Sequence, residues 1–541
     1  MATATLDSIN VLHNTMSTEH RDRFRKALRV LLVIALFVLP LIAGASAFQL
    51  AEDASDGLGA FQLSEAFWLW QLFTFVAIVL VFPAPVLRRF QLTMGLCTVY
   101  LLIGCALRID GFSGDRWPRL SWRWSVSAAD PVEDLVEPPN LVTIAPDDYP
   151  GFRGWNASGV VRKRQLAPTW HPRQMPKKVW TRNVGLAWSS FAVAGGICVT
   201  QEQRGSSECV VAYQLTDGEP IWIHRDQVRF KEPMGGGGPR ATPIIAAGRV
   251  VSLGATGLLT CLDAPTGNLI WQVDLVPGEE IPLRFGFSAS PLVVEGKVFV
   301  TVGGKNRTLV AYDLNNGQPL WSRGDFPASY STPQFWQSTT GKAVLLFHGK
   351  GLSCFDFESG QIQWTHDWVT NPPELNNVCQ PVPIPSKNSA QQLIFLSSGY
   401  GEGCALLEIS SKQKRYSVRE RWWNLRVKAK FSSVVYHAGH IYGLDNRKLV
   451  CLDADSGSER WRGGRFGYGQ LMLVDRQLVI MAESGLVALV DATPKKYQLR
   501  GQFQGLPGRT WNHPALSGNW LVIRNDRVAG CWRLPRRTTH D

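Results

Sequence analysis

A short segment recurs along this 541-residue chain: residues 210–222 (VVAYQLTDGEPIW), 259–271 (LTCLDAPTGNLIW), 309–321 (LVAYDLNNGQPLW), 352–364 (LSCFDFESGQIQW) and 449–461 (LVCLDADSGSERW). Each reads as strand, turn, strand. Gly218, Gly267, Gly317, Gly360 and Gly457 each follow a short polar residue, where a hairpin turn needs a positive φ at low steric cost, and a Trp stands four residues later. The glycines lie 43 to 50 residues apart, except for a last interval of 97, which a worn copy over residues 405–422 divides. A period of this length signals a solenoid or a propeller. A second alternating pair precedes each hairpin, as at residues 242–247 and 249–253, and four strands per unit make a propeller blade.

The count follows from the outer strands. Trp180, Trp222, Trp271, Trp321, Trp364, Trp422 and Trp461 mark seven, and a worn segment at residues 497–500 marks another. The C-terminus offers three strands, at 514–516, 519–524 and 527–534, whereas residues 177–183 are an orphan strand carrying Trp180. Ring closure by both ends of the domain gives an all-β, eight-bladed propeller, with seven blades as the alternative. A Trp repeated round the ring, in seven of the eight blades, is structural: its large ring packs against the neighbouring blade.

Of ten cysteines, Cys261, Cys354 and Cys451 occupy one repeat position, filled by Ala212 and Ala311 in sister copies. That position takes a small buried side chain, and equivalent positions in separate blades lie beyond disulfide reach. Cys198 and Cys209 flank a hairpin and could pair, as could Cys379 and Cys404. No cysteine or histidine spacing resembles a metal site.

Before the repeats the composition changes. Residues 28–48 and 67–87 are charge-free or nearly so and long enough to cross a bilayer as helices, and residues 91–107 form a third such stretch. Arg and Lys within the tail 1–27, and Arg88 and Arg89 between the second and third stretches, place those points on the cytoplasmic side. Three crossings then export everything after residue 108. Ala45-Ser46-Ala47 is an alternative cleavage site that would remove the first span. Residues 108–147 read as an interfacial segment and an acidic, Pro-rich linker, leaving residues 148–541 for the propeller. The expected location is a bacterial inner membrane, multi-pass, with the propeller in the periplasm and membrane lipid around the helices. The net charge of +12 is scattered along the chain, which argues against a nucleic-acid partner.

The Leu-Asp, Thr/Ser/Asn-Gly, Trp unit resembles the pyrroloquinoline-quinone (PQQ) repeat of quinoprotein alcohol dehydrogenases and of the propeller lipoprotein of outer-membrane β-barrel assembly. Residues 148–154 (DYPGFRG), followed by Gly159, look like the lead-in before many bacterial repeat proteins of this group. The dehydrogenase resemblance implies PQQ in the central funnel, stacked on a Trp under two adjacent bonded cysteines, beside Ca²⁺ held by Glu, Asn and Asp. No two cysteines here are adjacent, and no motif marks a calcium set.

Connectors from the outer strand of one blade to the inner strand of the next open on the functional face of a propeller, and the longest are the candidate sites. Residues 224–240 contain the run Met234-Gly235-Gly236-Gly237-Gly238-Pro239, whose amides could approach an anion. Arg240, Arg284, Phe287, Asn377, Lys430, Trp511 and His513 are expected near the channel mouth as a mixed basic and aromatic ring. The expected function is a non-catalytic binding or scaffold propeller without cofactor or metal, its partners exported or envelope proteins. The alternative is a membrane-bound, PQQ- and Ca²⁺-dependent dehydrogenase of alcohols or sugars.

Overall fold

The computed structural model describes residues 135–537, apart from 369, 371–376, 387–390 and 413–414, together with scattered residues between 91 and 124. The chain divides into two compact units, residues 1–110 with 120–125 and residues 111–119 with 126–541. Spans 28–48 and 67–87 lie outside the described residues, as does most of 91–107. Among the described residues no helix is long and apolar enough to cross a membrane. In the first unit Gln91, Gly95 and Thr98 are helical, and Trp122 stacks on Trp124 with centroids 5.3 Å apart.

The second unit is an eight-bladed propeller. Blade 1 is Ala192–Ala194, Ile197–Arg204, Ser207–Gln214 and Pro220–Asp226, hydrogen-bonded in that order as an antiparallel sheet. Blades 2 to 6 repeat the plan, beginning at Ile244–Ala246, Leu292–Val294, Gln334–Ser338, Val382–Ile384 and Val435–His437. Blade 7 begins at Gln470–Val474 and gains a fifth strand, Val160–Val161, parallel to its inner edge. Blade 8 takes Ala515–Ser517, Trp520–Arg524 and Val528–Arg533 from the C-terminus and Lys177–Asn183 as its outer strand. This is the two-ended closure that the orphan strand implies.

The blades are held to one another by the repeated Trp and Gly. Each hairpin glycine has a φ between 69° and 78°, a conformation that L side chains rarely adopt. A Cβ at Gly218, Gly267, Gly317 or Gly457 would come within 2.5 to 2.7 Å of the indole of Trp180, Trp222, Trp271 or Trp422, and Gly360 meets Trp321 in the same way. The glycine is therefore also the flat floor on which the preceding blade's Trp rests. The indole N–H of Trp180, Trp222, Trp271, Trp422 and Trp461 then donates across the seam to Leu215, Ala264, Leu314, Ala454 and Thr493 carbonyls at 2.7 to 3.1 Å.

In six blades the Trp faces a small residue of the neighbouring strand: Ala212 opposes Trp222, Cys261 opposes Trp271, Ala311 opposes Trp321, Cys354 opposes Trp364, Cys451 opposes Trp461 and Cys531 opposes Trp180, whereas in blade 5 Leu406 opposes Trp422. A bulge follows immediately, as between Cys261 and Leu262, adding local twist. All eight described cysteines are free and buried. Cys198 pairs in register with Tyr213, and Cys209 with Glu202, so the two stand well apart along one hairpin and form no bridge. Cys379 and Cys404 are likewise unbridged.

The seam between blades 8 and 1 has its own lock. Buried Glu202 accepts from Arg204 Nε at 2.8 Å and from the Tyr213 hydroxyl at 2.6 Å, and takes the Gly185 amide at 2.8 Å. Arg524 of blade 8 reaches across to Thr200 Oγ1, Gln201 O and Gly185 O at 2.8 to 3.0 Å.

The lead-in lies across the inner strands. The Asp148 carboxylate takes amides of Ala145 and Gly195 and the Ser517 hydroxyl. Tyr149 pairs with Val193 of blade 1, Pro150 O accepts from Ile245 of blade 2, and Gly159 O accepts from Leu473 of blade 7. Arg153 Nη2 donates to Val434 O beside blade 6 at 2.8 Å. One short segment thus touches blades on several sides of the axis, and the chain just upstream is docked too, with Val142 buried in the core of blade 1.

Candidate functional site

The inner strands all begin at one face, where the connectors arrive, and a polar belt joins their first residues. Ser190 N donates to Thr242 Oγ1, Thr242 N to Ser290 Oγ and Ser290 N to Thr332 Oγ1, at 2.9 to 3.0 Å. The Gln380 amide, oriented to satisfy both its atoms, donates to Thr332 O and accepts from Thr332 N, and Gln380 N donates to Ser433 Oγ. Gln470 and Asn512 continue the belt, to the carbonyls of Phe431 and Trp511 and to that of Ser189. The sequence carries a signal for it outside the hairpin repeat: Thr242-Pro243, Ser290-Pro291, Thr332-Pro333 and Gln380-Pro381 all stand just before an inner strand.

Above this belt the connectors meet through half-buried rings. Trp188, entering blade 1, lies 4.7 Å from Trp511, entering blade 8, and Trp511 lies 5.0 Å from Phe431, entering blade 6. Arg509 sits over both indoles, 4.8 Å from Trp188 and 4.2 Å from Trp511. Lys430 lies 4.9 Å from the rings of Tyr400 and Tyr468 and 5.8 Å from that of Phe431. Trp511 Nε1 donates to Glu483 Oε1 at 2.9 Å, and Glu483 Oε2 accepts from Tyr468 N at 3.1 Å. On the far side Phe285 packs edge-on to Tyr330 at 5.7 Å, with Arg284 exposed beside it. Cations stacked on aromatic faces make a surface suited to extended, amphipathic ligands.

The structure separates the expected ring into two groups. Lys430 and Trp511 belong to this stack, and Arg284 is on the exposed rim. The other four are engaged elsewhere. Phe287 has no exposed surface and packs in the core between blades 2 and 3, against the position of Gly257. Asn377 is fully buried and donates to His348 O at 2.9 Å, bracing two turns of blade 4 and its exit. His513 is buried at the blade 7–8 seam, with Nε2 3.1 Å from Leu471 O and Nδ1 2.8 Å from Pro514 O. Burial, with Arg153 nearby, pushes its imidazole down to about 3. Trp188, Tyr400, Phe431, Tyr468 and Arg509 take the places that these residues were expected to fill.

Arg240 is occupied as well. The glycine run folds as a small hairpin, Lys231–Glu232 paired with Gly236–Gly237. The amides of Met234, at 2.7 Å, and of Gly235 donate to the Glu232 carboxylate, and Arg240 Nη2 pairs with the same carboxylate at 3.0 Å. The cradle predicted for an anion is thus filled by the protein's own Glu232, which is 6% exposed. One buried carboxyl on this face has a free oxygen: Glu208, whose Oε2 accepts from Ala255 N at 3.1 Å while Oε1 has no partner. Burial, partly offset by the Ala255 amide and Arg240, pushes it up to about 7. A separate cavity of about 440 Å³ runs along the inner strands of blades 2 and 3, between Phe152 and Trp155 of the lead-in and Ile244 and Leu292.

A family model described as outer membrane protein assembly factor BamB matches residues 206–463. Under half of the chain is matched, and over that stretch its repeats resemble those of PQQ-like propellers. The chain is 32% identical to the outer membrane protein assembly factor BamB of Vibrio cholerae over 135 residues, 24% of this chain and 33% of that protein. It is 30% identical to quinohemoprotein alcohol dehydrogenase ADH-IIG of Pseudomonas putida over 151 residues, 26% of this chain and 21% of that enzyme. The matched region therefore spans a third or less of the length of these curated relatives. Quinohemoprotein alcohol dehydrogenase of Comamonas testosteroni superposes with a TM-score of 0.55, covering 72% of this chain and 81% of that one at 11% identity, a likeness of fold alone.

Of the two cations that could hold a tricarboxylate, Arg240 is ion-paired with Glu232, and Lys430 lies over the rings of Tyr400 and Tyr468. Among the described residues no three His, Cys, Asp or Glu converge as metal ligands, and no adjacent cysteines exist to cover a quinone.

Proposed function

We propose that this chain is a membrane-anchored propeller at the outer face of a bacterial inner membrane, acting as a non-catalytic binding or scaffold module for exported or envelope proteins. The observation that carries it is the self-filled cradle of Glu232, Met234, Gly235 and Arg240, beside a half-buried aromatic and cationic stack that faces outward. An enzyme funnel keeps its anion-binding groups for the ligand; here they are bonded to one another, and what remains is a surface for peptide-like partners. The likeness to BamB, named as an outer-membrane assembly factor, supports the same class of partner. The anchor rests on the charge-free stretches 28–48, 67–87 and 91–107 and on the positive charges flanking them.

The test is site-specific photocrosslinking on the full chain in envelope preparations, with the reactive group at Arg284 or Trp511 and, as control, at Glu358 in an exposed outer turn of blade 4. Adducts to exported proteins from the first two positions and none from the third are expected. Equal yields from all three would refute a binding face at the connectors.

The dehydrogenase reading has one group in its favour. Glu208 is a buried carboxyl whose proton affinity suits a general base near neutral pH. Turnover of an alcohol lost in Glu208→Gln would establish it.

A further inference from the structure

The lead-in carries a second, more deeply buried cation. Arg153 is 1% exposed, and as a guanidinium it keeps its charge wherever it is placed. Its Nε donates to Ala157 O at 3.2 Å, and Nη2 donates to Ser158 O at 3.0 Å and to Val434 O at 2.8 Å. A Cβ at Gly159 would collide with the group, so the backbone closes around it. Nη1 is buried and has no hydrogen-bond partner.

The charge is uncompensated as well. The titratable groups acting on Arg153 are Tyr149 and Cys379, and it acts in turn on His513. Burial holds the tyrosine and the thiol protonated and the imidazole neutral. The nearest acid in the lead-in, Asp148, is bonded to Ala145 N, Gly195 N and Ser517 Oγ. The other fully buried arginine of the propeller behaves differently: each nitrogen of Arg524 has an acceptor, and Glu202 supplies a counter-charge. A bridging water would satisfy the donors of Nη1 but not the charge, and an unpaired charge in a dry interior is strongly destabilising.

We propose that Arg153 Nη1 is the anchor of an internal anion site, holding one small monovalent anion, a halide or a carboxylate, among the inner strands. The guanidinium is 1% exposed and closed in by Ala157, Ser158 and Val434, which favours a small ligand. The anion would fasten the lead-in to the ring from inside, coupling the upstream chain to the blades.

The experiment is crystallisation of the full chain purified throughout in sodium bromide in place of chloride. An anomalous bromine peak within hydrogen-bond distance of Arg153 Nη1 is the expected result, and planar, non-anomalous density there would identify a carboxylate instead. Water-sized density without anomalous signal, or no density, would overturn the proposal. In solution, the melting temperature should rise when bromide replaces gluconate at constant ionic strength, and an Arg153→Met variant that folds should lose that rise; an equal rise in both would also count against it.

Discussion

Gly267→Ala tests the contact on which the ring depends. The residue has a φ of 72°, and its new Cβ would lie 2.5 Å from the Trp222 indole, well inside ordinary contact distance. Holding a non-glycine residue in the left-handed region costs about 1 kcal/mol. The indole must also withdraw by roughly 1 Å, which gives up the Trp222 Nε1 bond to Ala264 O, about 1 kcal/mol, and disturbs the seam packing, about 1–3 kcal/mol. The total is about 3–5 kcal/mol. For a domain of roughly 400 residues this lowers the melting temperature by about 4–6 °C. Gly248→Ala is the control, because Gly248 has the same φ of 72° with nothing within 4 Å of its added Cβ. It should cost only the backbone strain, about 1–2 °C. Thermal melts of both variants followed by circular dichroism decide the matter, and equal losses would refute the view that the glycine is the floor for the neighbouring Trp.

Other consequences are open to measurement. Glu202→Gln leaves Arg204 and Arg524 without their buried counter-charge and should destabilise the blade 8–1 seam by about 3–5 kcal/mol in urea titration. His513 is held neutral down to about 3, so its contribution to stability is full above its ordinary 6.5 and is lost as pH falls from there toward 3; His513→Gln should flatten acid unfolding in that window. Glu208 has the opposite sign: with its carboxyl pushed up to about 7, its contribution is full below 4.5 and lost as pH rises through 7. Glu208→Gln should therefore be more stable than the parent at pH 8, by up to about 3 kcal/mol, and show no gain at pH 4.5. The eight propeller thiols should react with a thiol reagent only on unfolding, and reaction in the native state would contradict their burial.

The ring was legible because its signals are periodic. Gly218 and Trp180, or Gly457 and Trp422, are one contact made over and over, and repetition exposes a structural role that a single residue would hide. Closure was legible for a related reason, since Trp180 marks residues 177–183 as an outer strand lacking its blade. The connectors have no period, so nothing in their sequence says which side chains turn inward. Phe287 and Arg284 are three residues apart, and only the folded connector, which buries the ring of Phe287 completely between blades 2 and 3, separates them. The glycine run is legible as an anion cradle but its occupant is not, because Glu232 precedes the glycines and closes on them only through the turn. In the lead-in, the Arg of DYPGFRG was a motif without a task until the inner strands were seen to surround it.

The proposed role, a binding propeller in place of a quinoprotein enzyme, is tested most directly by titrating the full, detergent-purified chain with PQQ and Ca²⁺. Cofactor absorbance and dye reduction would be followed with a panel of alcohols and aldoses. With Arg240 committed to Glu232, no stoichiometric binding and no turnover are predicted. Tight one-to-one binding with substrate-dependent dye reduction would contradict the account and make the funnel an active site.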